Sequence, residues 1–210
     1  MGKIEHLTIG QMTSENIEDQ IPGSTQLTTE EVKGLKLTHI TTKKELNRVE
    51  QENIVEAEIK YFDRKHKVDD ILSWDYIKKL HNEMLHHVWT WAGEQRTRET
   101  NIGVSPAYIM SEIPNLLGNV QYWIENKTFG LDEIAARFHH GLVKIHPFTN
   151  GNGRHARLMA DLLLTALGLK RFSWGQSDLY ESNEVRDEYI GALVLADKND
   201  FSSLIKFVRS

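Results

Sequence analysis

Apolar positions return at helical spacing along most of the chain. Thr42 stands three residues before Glu45, the spacing of a capping box, and Leu46, Val49, Asn53, Ala57 and Tyr61 then fall on one face, predicting a helix to about Arg64. Ser73 followed by Trp74, Ile77, Leu80, Met84 and Val88 gives a second amphipathic stretch that ends before Trp91-Ala92-Gly93. Ser105-Pro106 is a helix start, and Pro114 implies either a break or a new helix capped at Ser111. Ile134, Phe138, Leu142 and Ile145 form one stripe, and "RLMADLLLTALGL" is apolar on most sides, as the central helix of a bundle would be. Only "GEQRTRETNIGVS" alternates small, charged and β-branched residues after a glycine, the pattern of a short hairpin or extended flap. Residues 1 to 40 carry scattered single apolars without a period, as an arm lying on the body or a loosely ordered lead would. The pattern as a whole predicts an all-α bundle with one short β-hairpin flap: an irregular arm over 1–40, a domain over 41–210 and an active core over about 73–170.

Composition narrows the class. A chain of 210 residues with 40 % apolar and 26 % charged content is expected to fold as one soluble body. Twenty-five Lys and Arg against 30 Asp and Glu leave a formal charge of -5, which argues against a general nucleic-acid binder. There is no Cys, so disulfides, thiolate metal sites and cysteine nucleophiles are excluded. The first twenty residues lack the succession of a signal peptide and no apolar run reaches spanning length, so the expectation is a cytoplasmic protein that does not engage a membrane. Ten histidines invite a metal-hydrolase reading, but no His-Glu-x-x-His pattern supports zinc. His81, His86 and His87 read as surface or packing residues, His139 and His140 as helix-face residues, and His155 as solvated on a first turn. The five tryptophans read mostly as packing.

Between the last two apolar stretches lies "HPFTNGNGRHAR", residues 146 to 157. Gly151 and Gly153 permit backbone conformations and close approaches that a side chain would block, and the loop leads into a helix N-terminus, where N–H groups and the dipole favour an anion. Arg154 and Arg157 add charge-assisted donors there. The Gly-Lys-Ser/Thr succession of a P-loop is absent. His146, at the mouth of the loop, is the natural general base, and Phe148 its inward anchor. Base, anchor and anion cradle point to transfer of a phosphorus group to an alcohol.

These residues resemble the signature of Fic-domain proteins (the Fic/Doc family): His, any, Phe, any, Asp or Glu, Gly-Asn-Gly-Arg, two of any, Arg. "VWTWAGEQR" is similar to the family's segment before its target-docking flap and "HHGLVKIHPF" to its helix into the active loop, so that the resemblance runs from about Glu45 onward; it is greatest for the short bacterial subgroup labelled mobile mystery protein B. The resemblance implies a mostly helical adenylyltransferase that moves AMP from ATP to a Ser, Thr or Tyr hydroxyl of a target protein, with Mg²⁺ as cofactor. It implies His146 as the base. Gly151, Asn152 and Gly153 would hold phosphates through backbone and amide donors, and Arg154 and Arg157 would bind the β- and γ-phosphates. The flap would be Thr97, Arg98, Glu99, Thr100, Asn101, Ile102, Gly103 and Val104, aligning the target by strand addition. Arg186 and Tyr189, after Ser182, are candidates for the adenine side, with helix packing an equal explanation.

Two positions depart from the family pattern. Asn150 stands where an acidic Mg²⁺ ligand is usual, and a neutral amide oxygen weakens a hard-cation site. The inhibitory pattern Ser/Thr, three of any, Glu, then Gly/Asn is also missing: Glu18, Glu45, Glu94 and Glu181 have the upstream Ser or Thr but are followed by Asp19, Leu46, Gln95 and Ser182. "QIPGSTQLT" looks like the place where relatives carry Glu-Gly, with Pro22 in the Glu position. The brake is thus expected to be absent or supplied by a partner chain such as an antitoxin. The alternatives are a nucleotide-binding module without transfer activity, and an enzyme that transfers another phosphate-containing group or removes AMP.

Overall fold

The computed structural model describes residues 28–176 and 183–210. Among them the helices are α1 (Thr29–Val32), α2 (Lys43–Phe62), α3 (Val68–Ile71), α4 (Trp74–Leu85), α5 (Pro106–Asn126), α6 (Leu131–Ile145), α7 (Asn152–Ala166), α8 (Asn183–Ala196) and α9 (Ser202–Arg209), with a 3₁₀ turn at Trp174–Gln176. Helix starts follow local chemistry. Thr42 and Glu45 form the reciprocal capping box that opens α2, and the Ser73 hydroxyl accepts the Tyr76 N–H to open α4.

Helices α6 and α7 pack against each other at the centre, with α5 on α6 and α2 on α4. They are shared by two cores. On one side Phe138, Leu142, Met159 and Leu163 join Ile77, Leu80, Met84 and Ile113; on the other Ala135, Ala136, Ala160 and Leu164 meet Phe172, Tyr189, Leu204 and Phe207. Small side chains on the second side let the α8–α9 unit approach closely. Burial of each large aliphatic side chain in these cores contributes about 2 kcal/mol. No helix among the described residues is long and apolar enough to cross a membrane.

Two expectations change, at Pro114 and at the hairpin, while the described part of the arm lies on the body. Pro114 neither breaks α5 nor begins a new helix. It lies on the exposed face of one continuous helix, where the carbonyl freed by its missing N–H belongs to the exposed Met110, and the Ser111 hydroxyl donates back to the Tyr108 carbonyl instead of capping. Residues 28–40 of the arm are built into the body: Val32 and Ile40 are buried, Leu35 pairs with Trp89, and Lys36 N–H donates to the Val88 carbonyl at 2.9 Å. Residues 1–27, including the segment around Pro22, lie outside the described residues.

The second change concerns the hairpin. β pairing among the described residues consists of two isolated antiparallel bridges, Leu35 with Trp89 and Gln95 with Phe148, and residues 97–104 form a bent loop. The buried Arg96 side chain accounts for this. Its guanidinium donates to the carbonyls of Arg98 (2.7 Å) and Val104, one from each arm of the expected hairpin, and to those of His146 (2.6 Å) and Ile145 (3.4 Å). A side chain thus occupies the space and the acceptors that a cross-strand ladder would use.

Candidate active site

Helix α6 ends at His146, whose backbone is left-handed (φ 54°, ψ 61°) and whose N–H closes the last turn on the Leu142 carbonyl. The ring is nearly buried, and its Nδ1 lies 3.3 Å from the Val143 carbonyl, which places the ring proton on Nδ1 and makes Nε2 the basic nitrogen. Burial lowers the imidazole pKa to about 4, with the nearby Arg96 charge acting in the same direction. At neutral pH the ring is a neutral proton acceptor.

The loop from His146 to α7 is pinned at three points. The Phe148 ring is fully buried, stacked on His81 with centroids 3.8 Å apart and more loosely on Trp74. The amide of Asn152, expected among the phosphate donors, turns inward instead. Its Oδ1 accepts the Phe148 N–H at 2.9 Å and its Nδ2 donates to the Phe148 carbonyl at 2.8 Å, because the buried loop backbone needs partners. Asn152 therefore has its backbone N–H, not its amide, for an anion. The third point is Gly151, the N-cap of α7, at φ 76°; a Cβ there would meet Leu85 at 2.9 Å.

Beyond these pins the helix start opens outward. A Cβ on Gly153 would meet nothing within 4 Å, so the first turn of α7 is open at that position, near the positive end of the helix dipole. Arg154 pairs with the buried Glu50 of α2 at 2.7 Å, and Glu50 also accepts the Trp89 indole N–H at 2.6 Å. Arg157, half-buried one turn on, lies near enough to His139 for its charge to help lower that ring's pKa to about 3, after the larger effect of burial. The two arginines thus flank the helix start from opposite cores.

Asn150 has both of its oxygens engaged. Its Oδ1, the expected metal ligand, accepts the Gly151 N–H at 2.5 Å, and its carbonyl lies 2.9 Å from His81 Nε2. Among the described residues no group of three or more His, Asp or Glu could hold a metal ion.

The residues expected to form the flap lie over His146. A Cβ on Gly103 would sit 2.7 Å from His146 Cβ and 2.7 Å from the Arg96 guanidinium, the Val104 N–H reaches the Ile145 carbonyl, and the Thr100 hydroxyl donates to the Ile102 carbonyl at 2.6 Å. Ile102 is 39 % exposed at the loop's outer edge. Arg98 reaches back to α1, where Glu31 receives it through both oxygens at 2.6 and 2.7 Å. Burial pushes the Glu31 pKa up, but hydrogen bonds from Arg98 and Thr28, with the Arg98 charge, together outweigh it and hold the carboxyl below the usual range.

Some residues stand elsewhere than the sequence indicates. His155, expected in solvent, is buried with Nε2 3.0 Å from the Ile77 carbonyl, because α3 and α4 cover the first turn of α7. Tyr189 packs in the second core with its hydroxyl 2.9 Å from His139 Nε2; Arg186 is half-buried one turn earlier on α8. His81, Glu50 and Arg96 support the loop without any local signal in the sequence to mark them.

Residues 71–164 match the Fic/DOC family. They form a Fic domain. The matched span runs from the end of α3 through α7, and so includes the loop, Arg96 and His81, while Glu50 and α8 lie outside it. The chain is 32 % identical over 149 residues to "Protein adenylyltransferase fic-1" of Caenorhabditis elegans, a stretch covering 68 % of this chain and 27 % of that protein. It spans about a quarter of the length of the curated relatives it matches first. A solved segment of C. elegans Fic-1 superposes with a TM-score of 0.61 at 28 % identity, over 77 % of this chain and 48 % of that one. The fold of BepC from Bartonella tribocorum, solved with bound AMPPNP, matches with a TM-score of 0.65 at 17 % identity, over 94 % of this chain and 96 % of that one. The Fic domain and its mostly helical fold thus rest on both sequence and structure.

Proposed function

We propose that this chain is a protein adenylyltransferase, transferring AMP from ATP to a Ser, Thr or Tyr hydroxyl of a target protein. The observation that carries the reading is the placing of His146, neutral with Nε2 basic, at the mouth of a turn that leads into a helix N-terminus left open at Gly153. Relatives named protein adenylyltransferases and a fold match that holds AMPPNP support the choice of nucleotide. In the reaction Nε2 takes the proton of the target hydroxyl as its oxygen attacks the α-phosphorus. A new P–O bond forms, the bond to the β-phosphate oxygen breaks, and pyrophosphate leaves; the proton on the imidazole passes to solvent. The first turn of α7, Arg154 and Arg157 would hold the phosphate tail, and Arg186 with Tyr189 the adenine side. The loop Thr97–Val104 would receive the target segment along its backbone.

Magnesium does not fit a protein-held site here. The one side-chain oxygen in the expected place is the neutral Asn150 Oδ1, which accepts the Gly151 N–H. Any Mg²⁺ would arrive on the phosphates of ATP. We place the chain in the cytoplasm and in the mobile mystery protein B branch, with any brake supplied by a partner chain such as an antitoxin.

Incubation of the purified chain and a cell lysate with α-labelled ATP and Mg²⁺ tests the proposal. Label on protein that disappears in His146→Ala supports it, and label from γ-labelled ATP would instead indicate kinase-like transfer. Nucleotide binding without label would favour the second reading, a nucleotide-binding module, for which the engaged Asn150 is the specific argument.

A further inference from the structure

We infer that His81 is a positioning residue for the phosphate-binding turn: one buried ring bridges two backbones and sets the peptide plane from which α7 begins. This deepens the adenylyltransferase reading and rests on it. His81 lies on α4, fully buried, 69 positions before the turn it supports. Its Nδ1 is 2.9 Å from the backbone nitrogen of Gly93. A backbone N–H can only donate, so Nδ1 accepts and the single ring proton sits on Nε2. That Nε2–H points at the Asn150 carbonyl, 2.9 Å away. The opposite tautomer would set N–H against N–H and a lone pair against a carbonyl, so the two contacts select one form of the ring.

The consequence falls on the peptide unit between Asn150 and Gly151. Its carbonyl is held by His81 and its N–H by Asn150 Oδ1, so both ends of the unit are fixed just before Gly151 takes its left-handed conformation and α7 starts at Asn152. The ring lies flat on Phe148, interplanar angle 15°, and edge-on to His155, so it has no room to rotate away. The Gly93 N–H reaches it from a left-handed backbone (φ 81°), where a Cβ would stand 2.8 Å from Asn82 Cβ. A histidine that only filled space would not need this approach.

The test separates the two ring nitrogens. His81→Gln keeps a donor near the Nε2 position, whereas His81→Asn keeps an acceptor near Nδ1 and loses the donor. ADP titrated into each chain by calorimetry, and AMP transfer from α-labelled ATP, should remain within about threefold of the unmodified chain for His81→Gln and fall about tenfold or more for His81→Asn. Both variants should melt at similar temperatures. Equal ADP affinity in the two variants would overturn the inference. In the unmodified chain, ¹⁵N-histidine NMR should show the His81 proton on Nε2; a proton on Nδ1 overturns it without recourse to any variant. If the chain binds ADP but transfers no AMP, the adenylyltransferase reading fails while the ADP affinities still decide the role of His81.

Discussion

His146 carries the clearest residue-level consequence. With its pKa lowered to about 4 by burial, the imidazole accepts a proton throughout the neutral range and stops only when protonated. The acid limb of kcat/KM for AMP transfer should therefore lie below the ordinary histidine value of 6.5, with activity falling as pH drops toward 4. A pH–rate profile checks it, and a limb at or above 6.5 would show that the ring works in a wetter setting than the one described. Asn150 supplies a second expectation. A carboxylate at that position adds a charged oxygen for Mg²⁺ carried on ATP, so Asn150→Asp should raise the Mg²⁺-dependent transfer rate by roughly tenfold, about 1.4 kcal/mol of barrier. The comparison of initial rates at matched ATP concentrations is sufficient, and an unchanged rate would mean that the amide does not limit the reaction.

At the scale of elements, the loop over residues 97–104 owes its shape to one side chain. Arg96 is 2 % exposed and serves carbonyls on both arms of that loop and on the two residues where α6 ends. Arg96→Met keeps most of the volume but leaves buried carbonyls without their charged donor, at a cost of about 3 kcal/mol or more. It should lower the urea midpoint and also increase amide exchange at Arg98 and Val104. A loss of stability without faster exchange in the loop would contradict the assignment. The physical reason that a hairpin is legible from "GEQRTRETNIGVS" and yet not formed lies here. Alternation records which residues suit a strand, but it carries no information on a guanidinium that takes the acceptors first. Pro114 teaches the same lesson in reverse: as a local signal it stops a helix, and only its position on the exposed face of α5 makes it tolerable.

Over the whole molecule, buried neutral histidines dominate the response to acid. His139 and His155 are lowered to about 3, His146 to about 4 and His81 well below the usual range, all chiefly by burial. Unfolded, these rings would take protons near pH 6.5; folded, they refuse them until far lower. Stability is therefore complete above 6.5 and declines as pH falls from there toward 4. Each ring contributes up to about 1.4 kcal/mol per pH unit. Asp161, raised to about 6 by burial, acts oppositely, since the folded state binds its proton first between 6 and the usual carboxylate value, and offsets about one histidine. The midpoint of urea unfolding should thus drop steeply between pH 6.5 and 4.5, and a flat profile would mean that the rings are hydrated.

Legibility follows the range of the interactions. Helix starts at Thr42 and Ser73 are readable because capping is decided within three residues. The 146–157 turn can be picked out as a candidate site because its histidine, glycines and arginines are contiguous. The supports of that turn are not, since Arg96, His81 and Glu50 reach it across 50, 69 and 104 positions. His155 reads as solvated for the same reason, its cover coming from Ile77, 78 positions earlier.

The sharing of α6 and α7 between two cores bears on how this chain could evolve. A seam of that kind cannot be loosened on one flank without disturbing the other, so drift in the α8–α9 unit, remote from the turn, reaches His146 and Arg157 through the packing of two helices. Variation at Ala135, Ala136 and Ala160 should be as closely policed as variation in the reactive turn itself.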